Sequence, residues 1–154
     1  MTEKDVGIFL GLVKELAESE QNLHKVIATE EGLKNCFFGP RRYAEAVLIE
    51  VVEQVIGYAV YFFTNSTYSG KPCLFLEDMY IQPEYRGKGI GKAVFMHIVQ
   101  LAENHDCVRV DWIAAEWKKE AQDFYLSLGA IVRDTMRPYR LEKPAMEKLL
   151  SRAK

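Results

Sequence analysis

Gln82-Pro-Glu-Tyr-Arg-Gly-Lys-Gly-Ile-Gly-Lys92 is the stretch from which the rest of the chain can be read. Before it, Cys73 to Ile81 is a run of apolar and aromatic residues that predicts a strand, ended by Pro83. After it, Ile90, Val94, Ile98 and Leu101 recur at helical spacing and predict a helix over residues 89 to 104. Gly87, Gly89 and Gly91 fall at the strand-to-helix turn, interleaved with Arg86, Lys88 and Lys92. Glycine lets backbone N–H groups face a ligand with no Cβ in the way. The helix N-terminus adds unpaired donors and a positive dipole end, and the basic side chains add charge-assisted contacts. Such a cradle suits a pyrophosphate; the same glycine and charge content also suits a structural turn with solvated charges. Two nucleotide motifs are excluded: the Walker A spacing is missing, and the third glycine comes too soon for the dinucleotide fingerprint G-x-G-x-x-G.

Outward from this turn, the chain alternates. Val6, Phe9, Leu10, Val13 and Ala17 predict an amphipathic helix over residues 3 to 18. Thr29, with Glu30 and Glu31 behind it, predicts the start of a second short helix. Ala46 to Val52 and Val55 to Phe63, joined by Glu53-Gln54, read as a hairpin, and Asn65 to Gly70 as a polar turn. Val108 to Ala114 reads as a strand, and residues 119 to 128 as a helix with Ala121, Phe124, Tyr125 and Leu128 inward. Ala130 to Val132 and Tyr139 to Leu141 are expected as short closing strands. The order predicts an α/β sandwich: one mixed central sheet with helices on both faces, in a single domain over residues 1–154.

Composition narrows the function. The chain is 49% hydrophobic, 12% aromatic and 27% charged, an ordinary globular profile. A net charge of -2 gives no bulk attraction to nucleic acid or anionic membrane, so neither is expected as a partner. Cys36, Cys73 and Cys107 are scattered, with no CxxC or Cys/His cluster; reduced thiols, a cytoplasmic setting and no metal are expected. The apolar start is interrupted by Lys14 and Glu15 and lacks the layout of a signal peptide, and no run is long enough to cross a bilayer. His24, His97 and His105 stand apart from the motifs and read as surface or packing residues.

Arg86-Gly-Lys-Gly-Ile-Gly91 resembles the R/Q-x-x-G-x-G/A signature of the GNAT superfamily of acyl-CoA-dependent N-acetyltransferases. Leu76-Glu-Asp-Met-Tyr-Ile-Gln-Pro-Glu-Tyr85 and Ala115-Glu-Trp-Lys-Lys-Glu-Ala-Gln-Asp-Phe-Tyr-Leu-Ser-Leu-Gly-Ala130 fit the same superfamily, and their wording is similar to its diamine (spermidine/spermine) and thialysine branch. The similarity runs from about Leu12 to Leu150. It implies a sheet splayed at the acetyl-CoA site, with the pyrophosphate on Arg86, Gly87, Lys88, Gly89, Ile90, Gly91 and Lys92, and pantetheine beside Met79, Tyr80 and Ile81. It also implies a homodimer and a small-molecule amine as acceptor.

Direct transfer from the thioester needs an amine that has lost its proton, and a lysine-like amine has a pKa of about 10.4. A carboxylate can take that proton. Glu77 and Asp78 are adjacent acids inside an apolar run, where alternation would send them to opposite faces and burial would raise their pKa. The resemblance makes Glu77 the base; either acid could instead hold structure through an ion pair. A backbone N–H near Met79 or Tyr80, beside a strand irregularity, would serve the oxyanion. Tyr125 matches the family tyrosine that protonates the leaving thiolate, although its stripe also reads as core.

The branch has Asn where this chain has Lys118, which still offers a cation to a phosphate. The acid of the turn before Leu-Glu-Asp is missing from Asn65-Ser-Thr-Tyr68, and Glu-Gly-Trp-Arg is replaced by Arg137-Pro-Tyr-Arg140. Glu20, Asp78 and Glu116 remain as acceptor contacts. Members also begin with a strand before the first helix, and this sequence begins at the helix; either that strand is absent or the given start is late, and its absence would expose a sheet edge that another chain could cover. The readings are thus a diamine or thialysine-type acetyltransferase, an acetyltransferase for an amino acid, a peptide N-terminus or an aminoglycoside, or a coenzyme A-binding module without catalysis.

Overall fold

The computed structural model describes residues 1–152 of the 154. The chain divides into two compact units, Met1–Ile113 and Ala114–Lys154.

In the first unit, a 3-10 turn at Glu3–Asp5 leads into helix α1 (Val6–Ser19), which buries Val6, Phe9, Leu10 and Leu12. Helix α2 (Glu30–Phe38) starts where its cap predicts: the Thr29 hydroxyl accepts the Gly32 N–H at 3.1 Å. Strands β1 (Glu45–Val51), β2 (Gln54–Ser66) and β3 (Lys71–Ile81) form an antiparallel meander; β4 (Val110–Trp112) adds parallel to β3 after helix α3 (Ile90–Asn104). The sheet order is β1-β2-β3-β4, mixed and open.

Helices cover both faces. Phe9 and Leu12 of α1 and Phe37 of α2 pack on Tyr58, Val60 and Tyr80. On the other face, α3 buries Val94, Phe95, Ile98 and Ala102; Phe95 meets Trp112 edge-on at 5.0 Å, and His105 lies 4.6 Å from Phe63. A β-bulge in β3 makes this two-sided packing work. Val60 pairs with Asp78 but Tyr61 with Leu76, so Glu77 is an extra residue opposite one step of β2. The bulge shifts the alternation: Asp78 and Tyr80 share the α1 face, and Leu74 and Leu76 the α3 face.

The hairpin turn lies one residue earlier than expected. Val51 pairs with Gln54, and the loop is Val52–Glu53, not Glu53-Gln54. Both residues have positive φ, 47° and 62°, the mirror-image turn that matches strand twist. A β-branched residue is poorly suited to that region, and Val52 is 93% exposed, so no packing compensates. The double change Val52→Asn with Glu53→Gly is expected to stabilise the protein by about 1–2 kcal/mol. Urea denaturation checks this; an unchanged or lower midpoint would reject the strain.

The second unit holds helices α4 (Lys119–Ser127) and α5 (Lys143–Ser151). Two expectations fail here: Ala130 to Val132 and Tyr139 to Leu141 form no strand, and none of these residues is buried. A strand needs a partner for its ladder, and β-propensity alone provides none. The strand expected over Val108 to Ala114 is limited to Val110–Trp112.

Candidate active site

The β3–β4 ladder covers only Leu74–Leu76 against Val110–Trp112. Beyond Leu76, β3 runs on to Ile81 paired with β2 alone. The sheet therefore opens at Glu77, and the edge from Glu77 to Ile81 has no β4 partner among the described residues. Such an edge offers main-chain groups to an extended ligand. Gly57 lets β2 hold this segment closely: a Cβ there would lie 2.3 Å from the Tyr80 carbonyl oxygen.

The open edge leads straight into the cradle. A 3-10 turn at Pro83–Tyr85 is followed by Gly87 and Gly89 at φ 72° and 81°, with Gly89 as N-cap of α3. A Cβ at either glycine would meet nothing within 4 Å, so glycine answers the backbone conformation and leaves open space above it. Arg86, Lys88 and Lys92 are exposed, while Ile90 and Gly91 are half-buried at the start of α3. The Arg86 side chain is held at one end: its Nε donates to the Ile81 carbonyl at 2.8 Å, and its guanidinium lies 5.7 Å from the centre of the Tyr80 ring. Its terminal nitrogens can still meet a phosphate. Lys88 lies 5.3 Å over the Tyr85 ring, whose hydroxyl donates to Gln54 Oε1 at 3.1 Å. An open strand edge followed by backbone donors, a helix N-terminus and cations fits the pantetheine and pyrophosphate of acetyl-CoA.

Glu77 and Asp78 depart from expectation. Both are exposed, so burial is not what would tune them. The bulge is the cause: it lifts Glu77 out of the pleat at the point where the sheet opens. Asp78 faces α1. It and Glu20, just past the end of α1, act on one hydroxyl: burial, then the charges of Asp78, Glu20 and Tyr80, hold the Tyr58 phenol well above its usual pKa. Tyr58 Oη is buried with no protein hydrogen-bond partner among the described residues. The first unit thus brings the charges of Glu20, past the end of α1, and Asp78, next to Glu77 on β3, to bear on Tyr58 of β2.

In the second unit, Tyr125 is half-buried on α4, its ring 5.2 Å from Phe124, and burial raises its pKa. Lys118 is the N-cap of α4; Glu116 is exposed, and its carbonyl accepts from Gln122 Nε2 at 2.7 Å. The described residues contain no group of three His, Cys, Asp or Glu side chains able to hold a metal, and no helix long and apolar enough to cross a membrane.

Sequence reasoning passed over Glu15, Tyr58 and Gln82. Glu15 accepts from Tyr80 Oη at 3.3 Å and from Gln82 Nε2 at 3.1 Å. Its only sequence signal was a charge interrupting the apolar pattern of α1.

Residues 11–130 match the model of the acetyltransferase (GNAT) family. The bovine thialysine N-epsilon-acetyltransferase is 35% identical over 83% of this chain and 79% of its own length. The mouse protein of that name is 32% identical over 97% of this chain and 94% of its own. Among solved structures, an integron cassette protein from the mobile metagenome of V. cholerae superposes with a TM-score of 0.77 at 27% identity, over 96% of this chain and 90% of that one. The family match crosses the open edge, the bulge and the glycine cradle in one continuous span, and the chain belongs to the GNAT family of acetyltransferases.

Proposed function

We propose that the chain transfers the acetyl group of acetyl-CoA to the side-chain amine of a thialysine-like substrate. The observation that carries this reading is the bulge at Glu77, which sets an exposed carboxylate where the open β3 edge begins, one strand-length from the cradle. Met79, Tyr80 and Ile81 would hold the pantetheine arm. Arg86 to Lys92 would hold the pyrophosphate, and Lys118 would add a cation. When bound, acetyl-CoA supplies a thioester open to attack by a neutral amine.

Glu77 acts as the base, taking a proton from the substrate ammonium so that the nitrogen lone pair is free. Tyr125 offers its O–H to the sulfur. A phenol of about 10 is already a weaker acid than a thiol of about 8.5, so the transfer is uphill by roughly 2 kcal/mol. Burial widens that gap at Tyr125, so its part is a hydrogen bond to the departing sulfur, with full transfer only if the site raises the thiol as well.

Glu20 and Asp78, both acting on Tyr58, form the acidic side of the acceptor site, and Glu116 is a further contact. A long polycation needs carboxylates spread along it. The turn Asn65-Ser-Thr-Tyr68 supplies none, which favours a short amine. The identity to thialysine acetyltransferases points the same way. Incubation with acetyl-CoA and a pool of thialysine, lysine, putrescine, spermidine, aminoglycosides and short peptides, read by mass spectrometry, is expected to give side-chain acetylated thialysine. A product from the polyamines alone would move the substrate. Binding of acetyl-CoA without any product would leave a coenzyme-binding module.

We further infer one acetyltransferase domain, since the family match runs from the first compact unit into the second as far as residue 130; a cytoplasmic setting, which suits the three free cysteines; and a homodimer, supported by the edge position of β1. Sedimentation at the monomer mass would reject the dimer.

A further inference from the structure

We propose that Glu15 of α1 is a positioning residue for Arg86, and so sets the affinity for the pyrophosphate of the acetyl donor; this rests on the acetyl-CoA reading of the cradle. Four side chains make the link. The Glu15 carboxylate accepts from Tyr80 Oη at 3.3 Å and from Gln82 Nε2 at 3.3 and 3.1 Å. Tyr80 and Gln82 flank Ile81, whose carbonyl accepts the Arg86 Nε–H at 2.8 Å. The Arg86 guanidinium lies 5.7 Å from the Tyr80 ring centre. Glu15 therefore grips Tyr80, near the end of β3, and Gln82, just past it, on either side in sequence of the carbonyl that orients Arg86.

Charge adds to geometry. Tyr80 sits between an anion at its hydroxyl and a cation at its ring. Burial and Glu15 push its phenol above the usual value, while Arg86 pulls it down. A phenol donating to a carboxylate is richer in π-electron density, and a richer ring holds a guanidinium more firmly. Without Glu15, Tyr80 loses its acceptor, Gln82 loses its anchor, and Arg86 keeps one hydrogen bond from a less constrained strand end. The cradle then has to be ordered at the expense of ligand binding.

Donor affinity, with and without the pyrophosphate, is the test. Glu15→Ala is expected to raise the KM for acetyl-CoA about tenfold, with kcat within about twofold. With S-acetylpantetheine, which lacks the pyrophosphate, the loss in kcat/KM should shrink to about twofold, the part that a looser Tyr80 and Ile81 cost the pantetheine arm. Glu15→Gln keeps an acceptor without the charge and should fall between. Tyr80→Phe removes the shared hydroxyl, so adding it to Glu15→Ala should cost little beyond the larger single effect. Equal losses with both donors would make Glu15 a plain fold contact and overturn the proposal, as would an unchanged KM for acetyl-CoA. Calorimetry on the wild type separates the two failures: if acetyl-CoA itself does not bind, the donor reading falls and takes this proposal with it.

Discussion

Replacing Glu77 with glutamine is expected to lower kcat by about 10²- to 10³-fold at pH 7 and to leave the fold intact. The amide matches the carboxylate in shape but cannot take a proton from an ammonium. Glu77 is exposed at a bulge, with β4 pairing already ended. A surface change of this kind shifts stability by no more than about 0.5 kcal/mol, so lost activity will not reflect lost protein. The pH profile gives the sharper test. With the base removed, only amine already deprotonated in solution reacts, and that fraction rises tenfold per unit up to a pKa of about 10.4. The variant's rate should therefore climb with pH toward wild type. A variant as fast as wild type at pH 7, or a deficit that stays constant from pH 7 to 10, would remove Glu77 as the base.

That bulge marks the boundary of what the sequence could reveal. The cradle was legible because glycine and charge at a strand-to-helix turn have a local meaning, and Gly87 and Gly89 do take positive φ. The Thr29 cap was legible for the same reason. Alternation over Cys73 to Ile81, by contrast, is compatible with a regular strand. Only the pairing of Val60 with Asp78 and Tyr61 with Leu76 shows that Glu77 is extra, and pairing is a property of two segments. The Val52–Glu53 turn was misread because its first residue contradicts the conformation it adopts. Helix α5 was passed over although Pro144 near its start and the spacing of Met146, Leu149 and Leu150 signalled it. Glu15 was invisible for a further reason. Its partners lie 65 and 67 residues away, and their carboxylate–phenol and carboxylate–amide contacts leave no periodic trace.

Phe9→Ala is expected to cost about 3–5 kcal/mol of folding stability. Phe9 is 2% exposed and joins three elements through its ring: it meets Phe37 of α2 edge-on at 5.3 Å and Tyr58 of β2 at 4.8 Å. Truncation removes the transfer energy of the ring, two edge-to-face contacts and the support of a cavity wall. Tyr58 and Tyr80 are fixed in the sheet and Phe37 in a capped helix, so the gap cannot close by collapse. Such a loss is a large part of the about 5–15 kcal/mol that keeps a domain folded. Urea denaturation should show a lower midpoint at nearly constant m. Ile8→Ala, one residue away but 52% exposed, should shift it by less than about 0.5 kcal/mol. The cluster also reaches the donor site. Tyr80 belongs to it, with its ring 6.1 Å from that of Tyr58 and Arg86 lying over it. Well below its melting temperature, Phe9→Ala should therefore raise the KM for acetyl-CoA through a loosened Tyr80. A stability loss under about 1 kcal/mol would mean that α1 is held by its other contacts, and that the α1 face does not brace the strand from which Arg86 is presented.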